Sequence, residues 1–249
     1  MDNELEVKKS TKKMIMYFIV FSITMFFGGL ISAYVVSSLG QYWVHINPPT
    51  AFWISNALII LSSVTMYLSV KNIRAGIVSS AKAFLFLTLI LGTGFTVAQF
   101  NGWGTLSSWG VSWRNYQTEH GEATSWKHID HLLEGDAEYG KDYDIRKNGE
   151  ILLFNRDTGI LTDANDIRNE PLNKKVGHLT NQSSSFLFVL VLCHILHLVF
   201  GIVYLLVNLR RLERGVINKE NYVQLETLGI YWHFLGGLWI LLFFVIFSV

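Results

Sequence analysis

Cysteine, proline and charged residues are all scarce in this sequence. Its 249 residues include one cysteine, Cys193, and three prolines, and 16% are charged, against roughly 25% in an ordinary soluble domain. The single cysteine excludes an internal disulfide, a CxxC redox pair and an all-thiolate zinc or iron–sulfur site. Disorder and nucleic-acid binding are poor interpretations, because both need charge that this chain lacks.

Long apolar runs take the place of the missing charge, since 51% of the residues are hydrophobic. A membrane-spanning helix needs about 20 apolar residues, because the hydrocarbon core is roughly 30 Å thick. Five runs without a formal charge meet or approach that length: 14–36, 50–70, 83–100, 186–209 and 228–249. They do not show the alternation of a membrane β-barrel strand. The sequence therefore predicts an all-α membrane protein, a bundle of five transmembrane helices.

The distribution of lysine and arginine predicts the orientation. Basic residues occur in the leading tail 1–13 and in the connections after the second and fourth runs, whereas the connection 37–49 has none. The residues concerned are Lys8, Lys9, Lys12, Lys13, Lys71, Arg74, Lys82, Arg210, Arg211, Arg214 and Lys219. By the positive-inside rule, the tail 1–13 is cytoplasmic and the carboxyl terminus is external.

The segment 103–180 separates the third and fourth runs and is expected to form an external loop or small domain. It is net acidic, but long loops cross the membrane largely regardless of their charge. Its part 143–165 is typical of short strands, with turn signals at Asn148-Gly149 and Asp157-Thr158-Gly159. An acidic surface favours encounters with a basic protein; a domain that only covers its own helices is an equally good interpretation.

Three histidines and one glutamate lie at or near membrane depth, where polar groups are costly and usually have a role. His194 and His197 share one face of the fourth run, His233 lies in the fifth run, and Glu226 directly precedes it. One hypothesis is haem ligation by His197 and His233, which would make the chain a haem b-binding anchor for electron transfer. The helix rise opposes it, because it places His233 about 8 Å to the cytoplasmic side of its helix centre and His197 at the centre of its own. Hydrogen bonding between helices is therefore the favoured interpretation.

A weaker candidate lies in the external segment. His128 and His131 have a spacing that zinc ligands can use, but no further ligands are identified. Solvated histidines are common in loops, so this pattern alone does not predict a metal site.

The last two apolar runs resemble a known family. The run 184–188, Ser-Ser-Phe-Leu-Phe, followed by His194-x-x-His197, resembles the penultimate-helix motif of cytochrome c oxidase subunit III. Glu226 followed by 231–234, Tyr-Trp-His-Phe, is similar to that family's closing signature. The resemblance extends over most of the chain outside the tail and the segment 103–180, and it matches the family's short five-helix form.

The resemblance implies an accessory, non-redox subunit of an aerobic oxidase in a bacterial inner membrane. Such a subunit has no catalytic site, haem or copper of its own; haem and copper belong to its partners, oxidase subunits I and II. It is expected to stabilise subunit I, bind phospholipid and support proton uptake, while 103–180 contacts cytochrome c or a neighbouring respiratory complex. The residues expected to form a polar lattice in the last helix pair are His194, His197, Glu226, Tyr231, Trp232 and His233.

Two positions depart from the family pattern. Ile23 stands where the family usually has a buried glutamate, and Gly236 stands where it has an aspartate. A direct proton-collecting role through an ionisable group at Ile23 is therefore not expected.

Overall fold

The computed structural model describes residues 2–40, 42–109, 133, 137–166, 168 and 170–248. In these residues, five helices are long and apolar enough to cross a membrane. They are α1 (Asp2–Ser38), α2 (Thr50–Arg74), α3 (Val78–Ser108), α4 (Asn173–Glu213) and α5 (Val223–Ser248). The prediction of an all-α membrane protein with five spanning helices is confirmed.

The helices extend beyond the apolar runs from which they were predicted. The third takes in 103–108, and the fourth takes in 173–180, both of which belong to the expected external segment. A helix satisfies its own backbone hydrogen bonds, so it can continue out of the hydrocarbon into water without penalty. The apolar run marks the part in lipid, and capping residues mark where the helix ends.

Two of these ends carry a glycine with positive φ. Gly76 (φ 83°) follows α2 and Gly215 (φ 72°) follows α4. After each glycine, the next amide donates back into the last turn: Ile77 N to Asn72 O at 2.9 Å, and Val216 N to Arg211 O at 3.0 Å. This is the usual glycine cap of a helix, in which orphan carbonyls gain a donor.

The chain divides into two compact units. Unit 1 comprises Met1–Gly29, Trp53–Gln99 and Leu192–Leu241, and is a bundle made of parts of all five helices. Large side chains fill its core, among them Phe27, Ile59, Met66, Phe95, Trp232 and Trp239, each at most 1% exposed. Buried hydroxyl groups pair between helices, as Thr65 of α2 does with Thr88 of α3 at 2.8 Å.

Unit 2 comprises Leu30–Phe52, Phe100–Val191 and Leu242–Val249. It contains two antiparallel sheets, one in the order β1 (Tyr42–Ile46), β2 (Tyr143–Lys147), β3 (Glu150–Ile151), and the other formed by β4 (Leu153–Asn155) and β5 (Ile160–Thr162). Parts of helices complete the unit, with the Tyr34 hydroxyl donating to Ile246 O at 3.1 Å.

The strand interpretation of 143–165 is confirmed, and so are its turns. Asn148 (φ 52°) and Gly149 (φ 89°) join β2 to β3, and Gly159 (φ 65°) precedes β5. Both central residues of the first turn have positive φ, as the favoured two-residue hairpin turn requires. Strand β1 was missed, because its partner β2 lies about a hundred residues further along the chain and no local signal announces such a pairing.

Candidate functional site

Glu226 is at the centre of a cluster of charged side chains at the amino-terminal end of α5. It is 7% exposed. Lys13 Nζ of α1 lies 2.6 Å from Glu226 Oε2, and Arg74 of α2 approaches Oε1 with Nη2 at 2.5 Å and Nε at 2.8 Å. The amino-terminal end of a helix also favours negative charge. One carboxylate therefore ties three helices together.

A cavity of about 420 Å³ adjoins this cluster and lies within unit 1. It combines three cationic side chains with one carboxylate, one imidazole and two phenol rings. Its lining residues are Lys13, Tyr17, Tyr67, Val70, Lys71, Arg74, Glu226, Gly229, Ile230 and His233. Since cations outnumber carboxylates, the cavity suits an anionic group with an apolar neighbour.

Trp232 of α5 packs against both α2 and α3. It is 1% exposed, and its Nε1 donates to Ser62 Oγ of α2 at 3.0 Å. A Cβ at Gly92 of α3 would lie 2.8 Å from the Trp232 ring, so only glycine leaves room for it. The indole thereby sets how closely α3 approaches α5.

His194 is buried between aromatic rings. It is 1% exposed, and its ring centroid lies 5.2 Å from that of Trp239 and 6.3 Å from that of Phe95. Trp239 Nε1 donates to Asn56 Oδ1 of α2 at 2.9 Å. Among the described residues, His194 Nδ1 has no hydrogen-bond partner, and the imidazole has ring contacts from α3 and α5.

His197 and Tyr231 link α4 to α5. His197 Nδ1 lies 2.7 Å from Cys193 O, and because a carbonyl only accepts, this nitrogen must carry the hydrogen. The Tyr231 hydroxyl donates to His197 O at 3.0 Å. The ring of Phe27 from α1 lies 5.5 Å from the imidazole of His197.

The structure places His197 and His233 in different surroundings. His197 lies against Phe27 and Cys193, whereas His233 is exposed and lines the charged cavity with Glu226. Within the described residues, no three His, Cys, Asp or Glu side chains come close enough to hold a metal ion. The zinc candidates His128 and His131 lie outside the described residues. Haem b ligation by His197 and His233 stays a prediction, which an absorption spectrum of the isolated chain can test.

The two departures from the family pattern have different structural settings. Ile23 is 8% exposed, so its apolar side chain is buried in the bundle. A Cβ at Gly236 would lie 3.3 Å from both Ile59 Cγ1 and Ser63 Oγ. An aspartate at 236 would therefore crowd these two side chains of α2, which would have to move by a few tenths of an ångström.

Sequence reasoning named Glu226 and Trp232 but missed their partners. Lys13 and Arg74 counted only as markers of orientation, and Ser62 was not singled out. A signal was available, because Lys13, Arg74 and Glu226 all lie at helix ends predicted on the cytoplasmic side. The shared position on the cytoplasmic side did not identify which basic residue pairs with the Glu226 carboxylate.

The chain is similar to curated proteins that are named as subunit 3 of an oxidase. No protein-family model matches the chain. It is 35% identical over 66 residues to a probable quinol oxidase subunit 3 of Staphylococcus saprophyticus, covering 26% of this chain and 32% of that protein. It is 31% identical over 71 residues (28% and 34%) to cytochrome c oxidase subunit 3 of Alkalihalophilus pseudofirmus, and 32% identical over 79 residues (31% and 34%) to the Synechocystis protein of that name.

The matched segments span about a third of the length of these relatives. Both the quinol and the cytochrome c type of oxidase are represented, and the subunit number is the same throughout. The resemblance to oxidase subunit III that the sequence predicts is therefore confirmed over those segments.

Proposed function

We propose that this chain is an accessory, non-redox subunit III of a haem–copper oxidase that reduces dioxygen to water and pumps protons. Haem and copper belong to partner subunits I and II. The observation that carries the proposal is that the three relatives described above are named as oxidase subunits 3. The contacts of Glu226, Tyr231 and Trp232 support it, because these side chains bond to other helices of the same chain.

The first part of the proposed role is to stabilise subunit I. In its most apolar window, α1 has 11% of its residues buried, against 50% in α5. Exposed apolar residues on α1 include Phe18, Phe21, Met25 and Phe26. We assign this face to subunit I and to lipid, since a five-helix accessory chain must offer an apolar face to its partner.

The second part is phospholipid binding at the charged cavity. Donors for a phosphate group come from Lys71 and from the N–H groups of Lys13 and Arg74 that do not pair with Glu226. Val70 and Ile230 supply apolar contacts. Arg74 and Lys13 side chains are 57% and 40% exposed, so their pairing with Glu226 leaves donors available. Support of proton uptake is the third part, and Glu226 and His233 supply the carboxylate and the imidazole of this cavity.

The proposed setting is a bacterial inner membrane, with the amino terminus cytoplasmic. The basic residues around 1–13, the end of α2 and the end of α4 support this orientation. The segment between α3 and α4 is then external, and its acidic charge supports contact with a basic protein such as cytochrome c.

The test is purification of the tagged full chain from native membranes in mild detergent. We expect a haem- and copper-bearing oxidase core to co-elute, and a strain lacking this chain to keep that core's haem content while its turnover decays faster. A second, unrelated multi-pass protein with the same tag is the control. If the chain elutes alone, or if the isolated chain shows a stoichiometric b-type reduced-minus-oxidised band, the proposal is wrong.

A further inference from the structure

His45 lies on β1 between two oxygen acceptors of unit 2. It is the direct cross-strand partner of Asp144 on β2. Its Nδ1 lies 3.3 Å from Asp144 Oδ2, and its Nε2 lies 3.2 Å from Phe247 O in the last turn of α5. The side chains of His45 and Asp144 are each 10% exposed. One imidazole thus joins a strand of the external segment to the end of a helix.

The two acceptors constrain the protonation state of the ring. A backbone carbonyl can only accept, so Nε2 must donate to Phe247 O. Asp144 is held ionised by Arg146, whose Nε and Nη2 lie 2.6 and 3.1 Å from its two carboxylate oxygens. Burial raises the pKa of Asp144, but its pairing with His45 and Arg146 outweighs this effect and holds that pKa below its usual range. With Nε2 donating, a neutral ring would turn the Nδ1 lone pair toward the ionised carboxylate, whereas an imidazolium places a positive charge 3.3 Å from Asp144 Oδ2.

The end of the helix adds to the preference for a cation. The last carbonyls of a helix have no partner in the helix, and a positive charge there is stabilised by the helix dipole. The parts of α1 and α5 that belong to unit 2, 30–38 and 242–248, contain no charged side chain. Among the described residues of the packed elements, the charged groups facing His45 are Asp144 and Arg146, and Tyr34 is the titratable group bonded at the same helix end.

We propose that His45 is a pH-sensitive latch between β2 and the end of α5. The protonated ring donates to Phe247 O through Nε2 and forms an ion pair with Asp144. After the proton leaves, the ring is neutral and the ion pair is lost. With the orientation proposed above, the latch lies on the external side of the membrane, where a rise in proton concentration tightens it.

The test is amide hydrogen exchange in β1 and β2 of the full chain in lipid nanodiscs, at about pH 5.5 and about pH 8, which bracket histidine titration. Rates are corrected for intrinsic exchange with an unstructured reference peptide. We expect protection in these strands to fall about tenfold from the lower to the higher pH, roughly the effect of losing one pairing to a charged group. Equal protection at both values overturns the proposal.

Two variants separate the latch from general effects of charge. His45→Gln keeps one donor but cannot take up a proton, so its protection is expected not to change with pH. The matched control is Lys141→Gln, which removes an exposed charge from the same external segment and is expected to keep the wild-type response. A pH response in His45→Gln equal to that of the wild type also overturns the proposal.

A direct readout covers the case in which His45→Gln does not fold. In the ¹⁵N-histidine-labelled full chain, the two ring nitrogens of His45 are expected to be both protonated at about pH 6, which imidazole shifts report. Asp144→Asn identifies the resonance, because it removes the facing carboxylate. A neutral His45 ring at that pH contradicts the latch.

Discussion

Each of the two units contains one buried carboxylate, and the groups around the two carboxylates differ. Glu226 in unit 1 and Asp144 in unit 2 are both 7% exposed. Glu226 pairs with Lys13 and Arg74, whereas Asp144 pairs with Arg146 and lies 3.3 Å from the imidazole of His45. An imidazole thus takes the place of the second cation in unit 2, and this difference is what the proposed latch depends on.

The two clusters also differ in how they are assembled. The partners of Glu226 come from α1 and α2, so the cluster holds separate helices together. Asp144, Arg146 and His45 lie on adjacent paired strands, where the sheet already fixes their spacing. Removing Glu226 is therefore expected to cost more than removing Asp144, because no backbone ladder compensates between helices.

The largest effect is expected for Glu226→Ala. The change leaves Lys13 and Arg74 without their carboxylate, and we expect a loss of roughly 3 kcal/mol, the lower edge of the range for a broken buried pair, because both cations are partly exposed. Thermal unfolding of the purified chain and its retention in the oxidase complex are the measurements, and haem content is expected to stay intact.

Glu213→Ala is the matched control for this change. Glu213 pairs with Lys82 at 3.2 Å, but both side chains are about half exposed, and such pairs contribute at most about 1 kcal/mol. Equal losses in the two variants would show that burial of Glu226 has no special importance.

A smaller effect is expected for Gly92→Ala, which tests whether packing as well as charge fixes unit 1. The added methyl group would lie 2.8 Å from the Trp232 ring, and overpacking of this kind costs roughly 1–2 kcal/mol. Gly94→Ala on the same helix is the control, because its Cβ would have ordinary contact with Leu58 at 3.6 Å. Thermal unfolding measures both, and a neutral Gly92→Ala would contradict the close approach of α3.

The smallest effect is expected for Asp144→Asn, and it depends on pH. Because the pKa of Asp144 is lowered in the folded chain, its contribution to stability is present above the ordinary carboxyl pKa of about 4 and is lost as the pH falls through the folded value. Wild-type protection of β1 and β2 against hydrogen exchange is therefore expected to decrease in strong acid, and the variant lacks this decrease. Asp157→Asn, in the exposed turn before β5, is the control and keeps the acid response.

The spanning helices were predictable because lipid leaves the backbone few choices. A run such as 186–209 must form a helix wherever its side chains point. The turn at Asn148-Gly149 was predictable for a related reason, since its backbone requires φ values that few residues adopt. Strand β1 was not predictable in this way, because 42–46 becomes a strand only by pairing with 143–147.

The candidate site was predictable in part. Glu226, Trp232 and the histidines stood out as polar or motif-bearing residues at membrane depth, and the chain is similar to oxidase subunits 3 over part of its length. Their individual roles stay predictions. The cations that meet Glu226 were missed, because several basic residues are predicted at the same membrane level and only packing selects among them.

The sequence by itself determined that five helices span the membrane and that acidic and basic residues gather at their ends, because solvation in hydrocarbon acts on each segment separately. Tertiary structure decided which groups meet, so that Glu226 pairs with Lys13 and Arg74, and His45 lies between Asp144 and Phe247 O. These contacts join residues far apart in the chain, and their short-range energies exist only once the backbone has brought the partners together.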